Sequence, residues 1–350
     1  MLIGHGDDIY GYPDIRMNFS SNILQHADHS RLKAHLMEHF DVVSNYPEPE
    51  PYTLEQALAE KYGIDKDCVL VTNGATDAIY LIAQAYSHLS YTVLHPTFSE
   101  YEDACRMFRC VSGSGGVAWA CNPNNPTGET RTLAEIRSLV GDHELLVIDQ
   151  AYENYTNQPM LTPLDAVNEG NIIQMHSMTK TYAVPGLRLG YLTAAPHIIR
   201  HLRRFLRPWS VNALAVEAGL FLTEHDELLI RPDLDEAQRL AHMLEDVCGI
   251  AVSPTQTNFM LCRSVHYTAA ELKERLVREH GILIRDASNF KGLTPHHFRI
   301  AAQLPEENDA LVDALSPRTS YLAPRTSYHA PRTSHLSPRT SHLDNDRVPV

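Results

Sequence analysis

Between residues 68 and 193 the chain carries six short, largely apolar runs. They are CVLVT (68–72), YTVLH (91–95), VAWAC (117–121), ELLVID (144–149), NIIQMHS (171–177) and LRLGYLT (187–193). They are too short for buried helices and not alternating enough for a sheet with one wet face, so they read as strands covered on both sides. Helical segments lie between several of them. TLEQALAEKYG opens with Thr53 and Gln56 as a capping box and closes at Gly63. NGATDAIYLIAQAYSHL has apolar residues at helical spacing, and FSEYEDACRMF looks helical. The expected fold class is therefore α/β, with a mostly parallel sheet.

Beyond about residue 212 the pattern changes. A long helical stretch runs to about 248, followed by AVSP, NFMLCR, a helix over 268–280, GILIR, HFRIA and a helix over 305–315. This fits an antiparallel-rich α+β layer. The expected organisation is an N-terminal segment (1–40) packing with the small domain, a large α/β domain (41–211), a small α+β domain (212–315) and a tail (316–350). Residues 316–343 are four seven-residue copies of a PRTS motif. A Pro in every copy rules out a coiled coil, so a disordered extension is expected.

The 350 residues carry a net charge of −14. The tail, with five Arg against two Asp, is basic, so the body before it is more acidic still. Such a body is a poor match for nucleic acid or an anionic membrane surface. No run approaches a membrane span, and the early acidic residues are unlike a signal peptide, so a cytoplasmic protein is expected. The six cysteines lack zinc spacing and read as reduced thiols. The pairs His26/His29 and His35/His39 have ligand-like spacing, but there is no HExxH, and no metal is expected.

Four segments carry the chemistry. NGATDA (73–78) follows a strand and opens a helix, where free amides and Thr76 would face an anion. On its own it also fits an ordinary strand–helix turn. NPNNPTG (122–128) is a polar turn after VAWAC. ELLVID ends in Asp149, a carboxylate at the carboxyl end of a strand, with Tyr152 three residues on. HSMTKTYAVPGLRLGY (176–191) places Ser177 and Lys180 after a strand and Arg188 within an apolar run, where a guanidinium needs an anionic partner. A lysine able to bond an aldehyde, an acid for a pyridine nitrogen, Asn and Tyr for a phenolate oxygen, and cations for a phosphate make up a pyridoxal phosphate kit.

The order and spacing of NPTG, Asp-x-x-Tyr and Ser-x-x-Lys before GLRLG resemble the fold-type I, class I/II aminotransferase superfamily. The resemblance implies the aspartate aminotransferase-like fold, with a seven-stranded sheet, and the cofactor pyridoxal 5'-phosphate. It implies that Lys180 is the Schiff-base lysine and proton shuttle, that Asp149 pairs with the ring nitrogen, and that Asn125 and Tyr152 hold the ring oxygen. Ala75, Thr76, Ser177 and Arg188 would bind the phosphate, and Phe98 of PTFSEY would stack on the ring. Tyr46 of SNYPEPEP resembles a tyrosine that reaches the phosphate of a neighbouring subunit, implying a homodimer with shared active sites.

Arg299 in HHFRIA resembles the arginine that grips a substrate α-carboxylate. Within the superfamily the chain is similar to two branches handling phosphorylated small molecules. These are the L-threonine O-3-phosphate decarboxylases of cobalamin synthesis and, next, the histidinol-phosphate aminotransferases. GHGDDIY, MNFSSNI, RPWSVNALA and ILIRDASNFKGL resemble the decarboxylases. That implies His5, Asn22 and Arg285 on a substrate phosphate, with Arg299 and Asn125 also facing substrate. The implied activity is decarboxylation of a small phosphorylated L-amino acid, with transamination and a non-catalytic cofactor-binding protein as alternatives. Two departures stand out. The chain is contracted between Tyr101 and Asn122, which is expected to cost a strand or hairpin, and Gln150 replaces an acidic residue.

Overall fold

The computed structural model describes residues 6–316; His5 and the PRTS repeats beyond Ser316 lie outside the described residues. In chain order the strands are β1 (Met17–Asn18), β2 (Val69–Thr72), β3 (Ser90–Val93), β4 (Val111–Ser112), β5 (Val117–Cys121), β6 (Leu145–Asp149) and β7 (Ile172–Ser177). They continue with β8 (Gly190–Ala194), β9 (Ile250–Val252), β10 (Phe259–Ser264), β11 (Ile282–Leu283), β12 (Arg285–Asp286) and β13 (His297–Ala301).

Seven of them form one sheet in the order β2-β8-β7-β6-β5-β3-β4. All neighbours are parallel except β8, which runs antiparallel to both β2 and β7. Side chains alternate between two buried faces. Leu70, Trp119, Val147, Met175 and Leu192 pack into one apolar core with the helices Gly74–Ala85, Glu100–Met107 and Pro196–Arg203. On the other face Val69, Val71 and Tyr191 join one cluster, and Ala118, Ala120, Leu146 and Ile148 another. This two-sided burial is why the strands read as continuous apolar runs.

The second sheet, β12-β13-β10-β9, is antiparallel throughout. The helices Leu234–Glu245, Ala269–His280 and Pro305–Leu315 cover it through Leu240, Leu244, Leu272, Leu276 and Leu311. Near the N-terminus β1 pairs in parallel with β11, placing Phe19 in the same core.

Three local expectations are corrected. The helix Tyr52–Tyr62 starts after Pro51 with no side-chain cap. The Thr53 N–H donates instead to the Glu48 carboxylate (3.0 Å), and Gln56 donates to Glu60 (2.7 Å), so there is no capping box. Gly63 does close that helix, at φ 64°. The long helical stretch is broken into Ala213–Thr223 and Leu234–Glu245, with Pro232 in the intervening segment, where a helix cannot continue unkinked. The contraction between Tyr101 and Asn122 does not remove a strand from the seven-stranded sheet. It leaves β4 as an exposed two-residue edge beside β3.

Candidate active site

The topology brings the four chemical segments to one edge of the large sheet. β2, β5, β6 and β7 are mutually parallel, so their carboxyl ends deliver Gly74–Thr76, Asn125, Asp149 and Ser177–Lys180 to the same side. Because β8 is reversed, it is its beginning that lies there: Gly190 pairs with both Ser177 and Thr72, and Arg188 sits just before it. Asn22, Ala75, Thr76, Phe98, Asn125, Asp149, Tyr152, Ser177, Lys180, Arg188, Arg285 and Arg299 all line one cleft. Tyr46 does not. It is 87% exposed, its ring 5.8 Å from that of Trp209.

Asp149 is buried at the cleft floor. Its Oδ2 accepts from the Tyr101 hydroxyl (2.6 Å) and its Oδ1 from the Ala151 N–H (2.9 Å). Burial raises its pKa, while these two donors and the charges of His176 and Lys180 work against that rise. Tyr101 was not singled out from the sequence. It lies three residues after Phe98, is fully buried, stacks on Trp119 at 5.4 Å and meets the Phe98 ring edge-on at 5.8 Å. Nothing in PTFSEY alone shows which of its aromatics turns toward the carboxylate.

Removing that hydroxyl gives a first prediction. In cofactor-free protein at pH 7.5, Tyr101→Phe should lower unfolding free energy by about 1.5–3 kcal/mol, the range for a hydrogen bond to a charged group. The donor matters most to an ionised Asp149, so the loss should shrink as pH falls through its raised folded-state pKa. Denaturant melts at two pH values test this; an equal loss at both would assign Tyr101 to packing alone.

Lys180 is half-buried in the cleft, with its ammonium 5.7 Å from the centre of the Tyr152 ring. Burial, then the positive charge of Arg299, lowers its pKa to about 8, with Arg188 adding to the effect and Asp7 and Asp149 opposing it. Burial raises the Tyr152 hydroxyl to about 12. Arg299 donates to Asn125 Oδ1 and to the Ser20 carbonyl (2.6 Å), while its Nε has no partner among the described residues. Arg285 donates to Asn289 Oδ1 (2.8 Å) and to the Asp286 carbonyl and lies over the Phe290 ring. Burial lowers Arg285 to about 9, with Arg299 the next cause, and burial lowers Arg299 to about 10. Guanidinium groups stay charged in proteins, so these directions mark how far the two cations are withdrawn from water, with Asp286 and Asp8 opposing the fall at Arg285.

The start of the helix Gly74–Ala85 could hold a phosphate. Its N-cap, Asn73, makes no side-chain cap, which leaves the first-turn amides for a ligand. A Cβ on Gly74 would lie 2.8 Å from Arg188 Nη2, and one on Gly190 would lie 2.9 Å from the Ala75 nitrogen. These glycines let the guanidinium and the helix end approach each other. Thr179 Oγ1 and both side-chain polar atoms of Asn22 are buried without a partner among the described residues. An amine of lowered pKa, a buried carboxylate, Asn and Tyr donors and an anion cradle fit pyridoxal phosphate: Lys180 to hold its aldehyde carbon, Asp149 its ring nitrogen, and the Gly74–Thr76 turn with Ser177 and Arg188 its phosphate.

Comparison with known proteins gives the family of the chain. The family model for aminotransferase class I and II matches residues 14–112 and 112–315. A putative threonine-phosphate decarboxylase of Caldanaerobacter subterraneus subsp. tengcongensis is 31% identical, over 89% of this chain and 92% of that protein. A histidinol-phosphate aminotransferase of the same organism is 28% identical, over 78% of this chain and 84% of that protein. The crystal structure of L-threonine-O-3-phosphate decarboxylase from Porphyromonas gingivalis superposes with a TM-score of 0.81 at 36% identity, covering 86% of this chain and 98% of that one. The chain therefore belongs to the class I and II aminotransferase family and is a pyridoxal phosphate-dependent enzyme.

Proposed function

We propose that this enzyme decarboxylates a small phosphorylated L-amino acid, with O-phospho-L-threonine the best match. The observation that carries the reading is the pairing of Arg285 with Arg299. They are directly opposite one another in the β12–β13 ladder and both are buried. Like charges at such positions are destabilising unless anions sit between or beside them. A substrate bearing both a carboxylate and a phosphate supplies two. The similarity to the threonine-phosphate decarboxylases supports the same choice, and cobalamin synthesis in the cytoplasm is the setting it implies.

When bound, pyridoxal phosphate supplies the electron sink for bond breaking at the substrate Cα. The chain's own residues do the rest. Arg299, held by Asn125 and the Ser20 carbonyl, takes the α-carboxylate in a two-pronged grip. Arg285 and Asn22, with His5, take the substrate phosphate. Together these contacts would fix the orientation of the substrate Cα, and with it which of its bonds is set to break. Phe98 would pack on the cofactor ring, Asn125 and Tyr152 would hold its oxygen, and Asp149 would keep its nitrogen protonated. Lys180, neutral in a larger fraction than an exposed lysine, would hold the cofactor and then donate a proton to Cα in place of the carboxylate lost as carbon dioxide.

The reading includes a division into a large domain (41–211), a small domain (212–315) and an N-terminal segment packed with the small one. It also includes a homodimer in which Tyr46 serves the neighbouring copy's phosphate site. Exposed Met37, Phe40, Tyr46, Tyr52 and Trp209 support such an interface. Transamination is the second reading, favoured by the histidinol-phosphate aminotransferases among the relatives.

Cofactor-loaded enzyme mixed with O-phospho-L-threonine should release carbon dioxide and aminopropanol phosphate. No release, with conversion of the cofactor to its pyridoxamine form, would establish the transaminase instead. Arg285→Ala should cut kcat/KM for O-phospho-L-threonine about 30-fold or more, the effect of removing one member of a buried charge pair. L-threonine itself should be little affected; equal losses would remove the phosphate role of Arg285.

A further inference from the structure

Among the described residues, a three-membered group of metal-ligand side chains stands outside the catalytic cleft: His35, His39 and Glu217. His35 belongs to the helix Ser30–Glu38, and His39 caps its end, one turn later. Four-residue spacing puts both imidazoles on one face. Glu217 comes from the helix Ala213–Thr223, which packs against that face. The sequence shows the histidine pair but not the carboxylate, which is nearly two hundred residues away and arrives only through helix packing.

We propose that His35, His39 and Glu217 form a binding site for a divalent transition metal of the zinc class. One potential ligand atom from each lies within 4.8 Å of the others. His39 Nδ1 is 2.9 Å from the His35 carbonyl, so a proton on Nδ1 donates there and leaves the Nε2 lone pair to coordinate. His35 Nε2 faces Glu217 Oε1 at 2.8 Å. The His35 ring is held between His39 (centroids 4.2 Å) and Phe221 (4.4 Å), and Phe221 is one turn beyond Glu217 on the same helix. The ligand carrying most of the site is thus already oriented. Metal bonds of 2.0–2.2 Å at a tetrahedral angle separate two donors by about 3.4 Å, so the His35–Glu217 pair would open by about half an ångström, and the His39 ring, stacked on His35, would turn to bring its nitrogen to the same ion.

Two imidazoles and one carboxylate match zinc, cobalt or nickel better than calcium or magnesium, which prefer all-oxygen shells. Three protein ligands leave a fourth position for water. His39 is exposed, whereas His35 and Glu217 are half-buried, which gives an ion a path in from solvent. A bound ion would tie the end of one helix to the flank of the other. The competing account is a hydrogen-bonded, stacked His–Glu contact that merely joins two helices.

Zinc titration of the metal-stripped full chain by calorimetry distinguishes the two. Because His329, His335 and His342 in the tail also offer imidazoles, variants carry the test. In both His39→Ala and Glu217→Gln, zinc should bind this site at least tenfold more weakly than in wild type, while the metal-free variants keep the wild-type circular dichroism spectrum. No binding by wild type, or a loss below tenfold in either variant, overturns the site. Neither residue lines the catalytic cleft, so the result is independent of the reaction proposed above.

Discussion

Lys180→Ala is expected to lower kcat by about a thousandfold or more, within the range for removing a positioned proton-transfer group. It should also abolish covalent capture of the cofactor. Borohydride reduction followed by mass spectrometry should find the cofactor mass on wild type and not on the variant. Persistent attachment in the variant would refute the lysine assignment. The lowered pKa adds a pH signature. An amine of pKa about 8 is neutral in about a tenth of molecules at pH 7, against a few in ten thousand for an ordinary lysine. Capture of cofactor by cofactor-free protein should therefore accelerate with pH up to about 8 and then level off. A rate still climbing steadily toward pH 10 would mean that burial and Arg299 do not act on this amine.

Arg299→Gln should have the next largest effect. Glutamine can keep a hydrogen bond to Asn125 or the Ser20 carbonyl, but it cannot offer a charged fork to a carboxylate. Losing one side of a buried charge pair costs about 2–5 kcal/mol, so kcat/KM should fall by about 30-fold to several thousandfold. Arg299 is also the second cause, after burial, of the lowered Lys180 pKa. Its removal should move the inflection of cofactor capture to higher pH, a change measurable without substrate. An unmoved inflection would show that the two charges are not coupled, and an unchanged kcat/KM would take the carboxylate role from Arg299.

The large sheet was legible because its strands are buried on both faces. VAWAC and ELLVID have no polar side to confuse the period, and both became strands at the expected places. The antiparallel run of β8 was not legible. The apolar run LRLGYLT carries no mark of strand direction, and its orientation depends on pairing with β2 and β7. Helix ends were less secure. Thr53 and Gln56 have the capping pattern, yet the Pro47–Pro51 approach brings Glu48 to the Thr53 amide instead. At the site, the proposed Lys180, Asp149, Asn125 and Arg188 stand out in the sequence because their spacing within short motifs resembles a known family, and all four line one cleft. Tyr101 could not, since its partner is 48 positions away and the contact depends on the helix Glu100–Met107 lying across the sheet.

The sequence by itself determined the alternation of elements, the chemical kit and the cofactor, because local periodicity and short-range motifs are written along the chain. Only the tertiary structure decided that β8 runs backward, so that Arg188 meets the amide end of the Gly74–Ala85 helix. Only the tertiary structure set Arg285 opposite Arg299, turned Tyr101 onto Asp149, and brought Glu217 to His35 and His39. Each of these depends on contacts between distant segments, which sheet pairing and core burial fix and which no local pattern encodes.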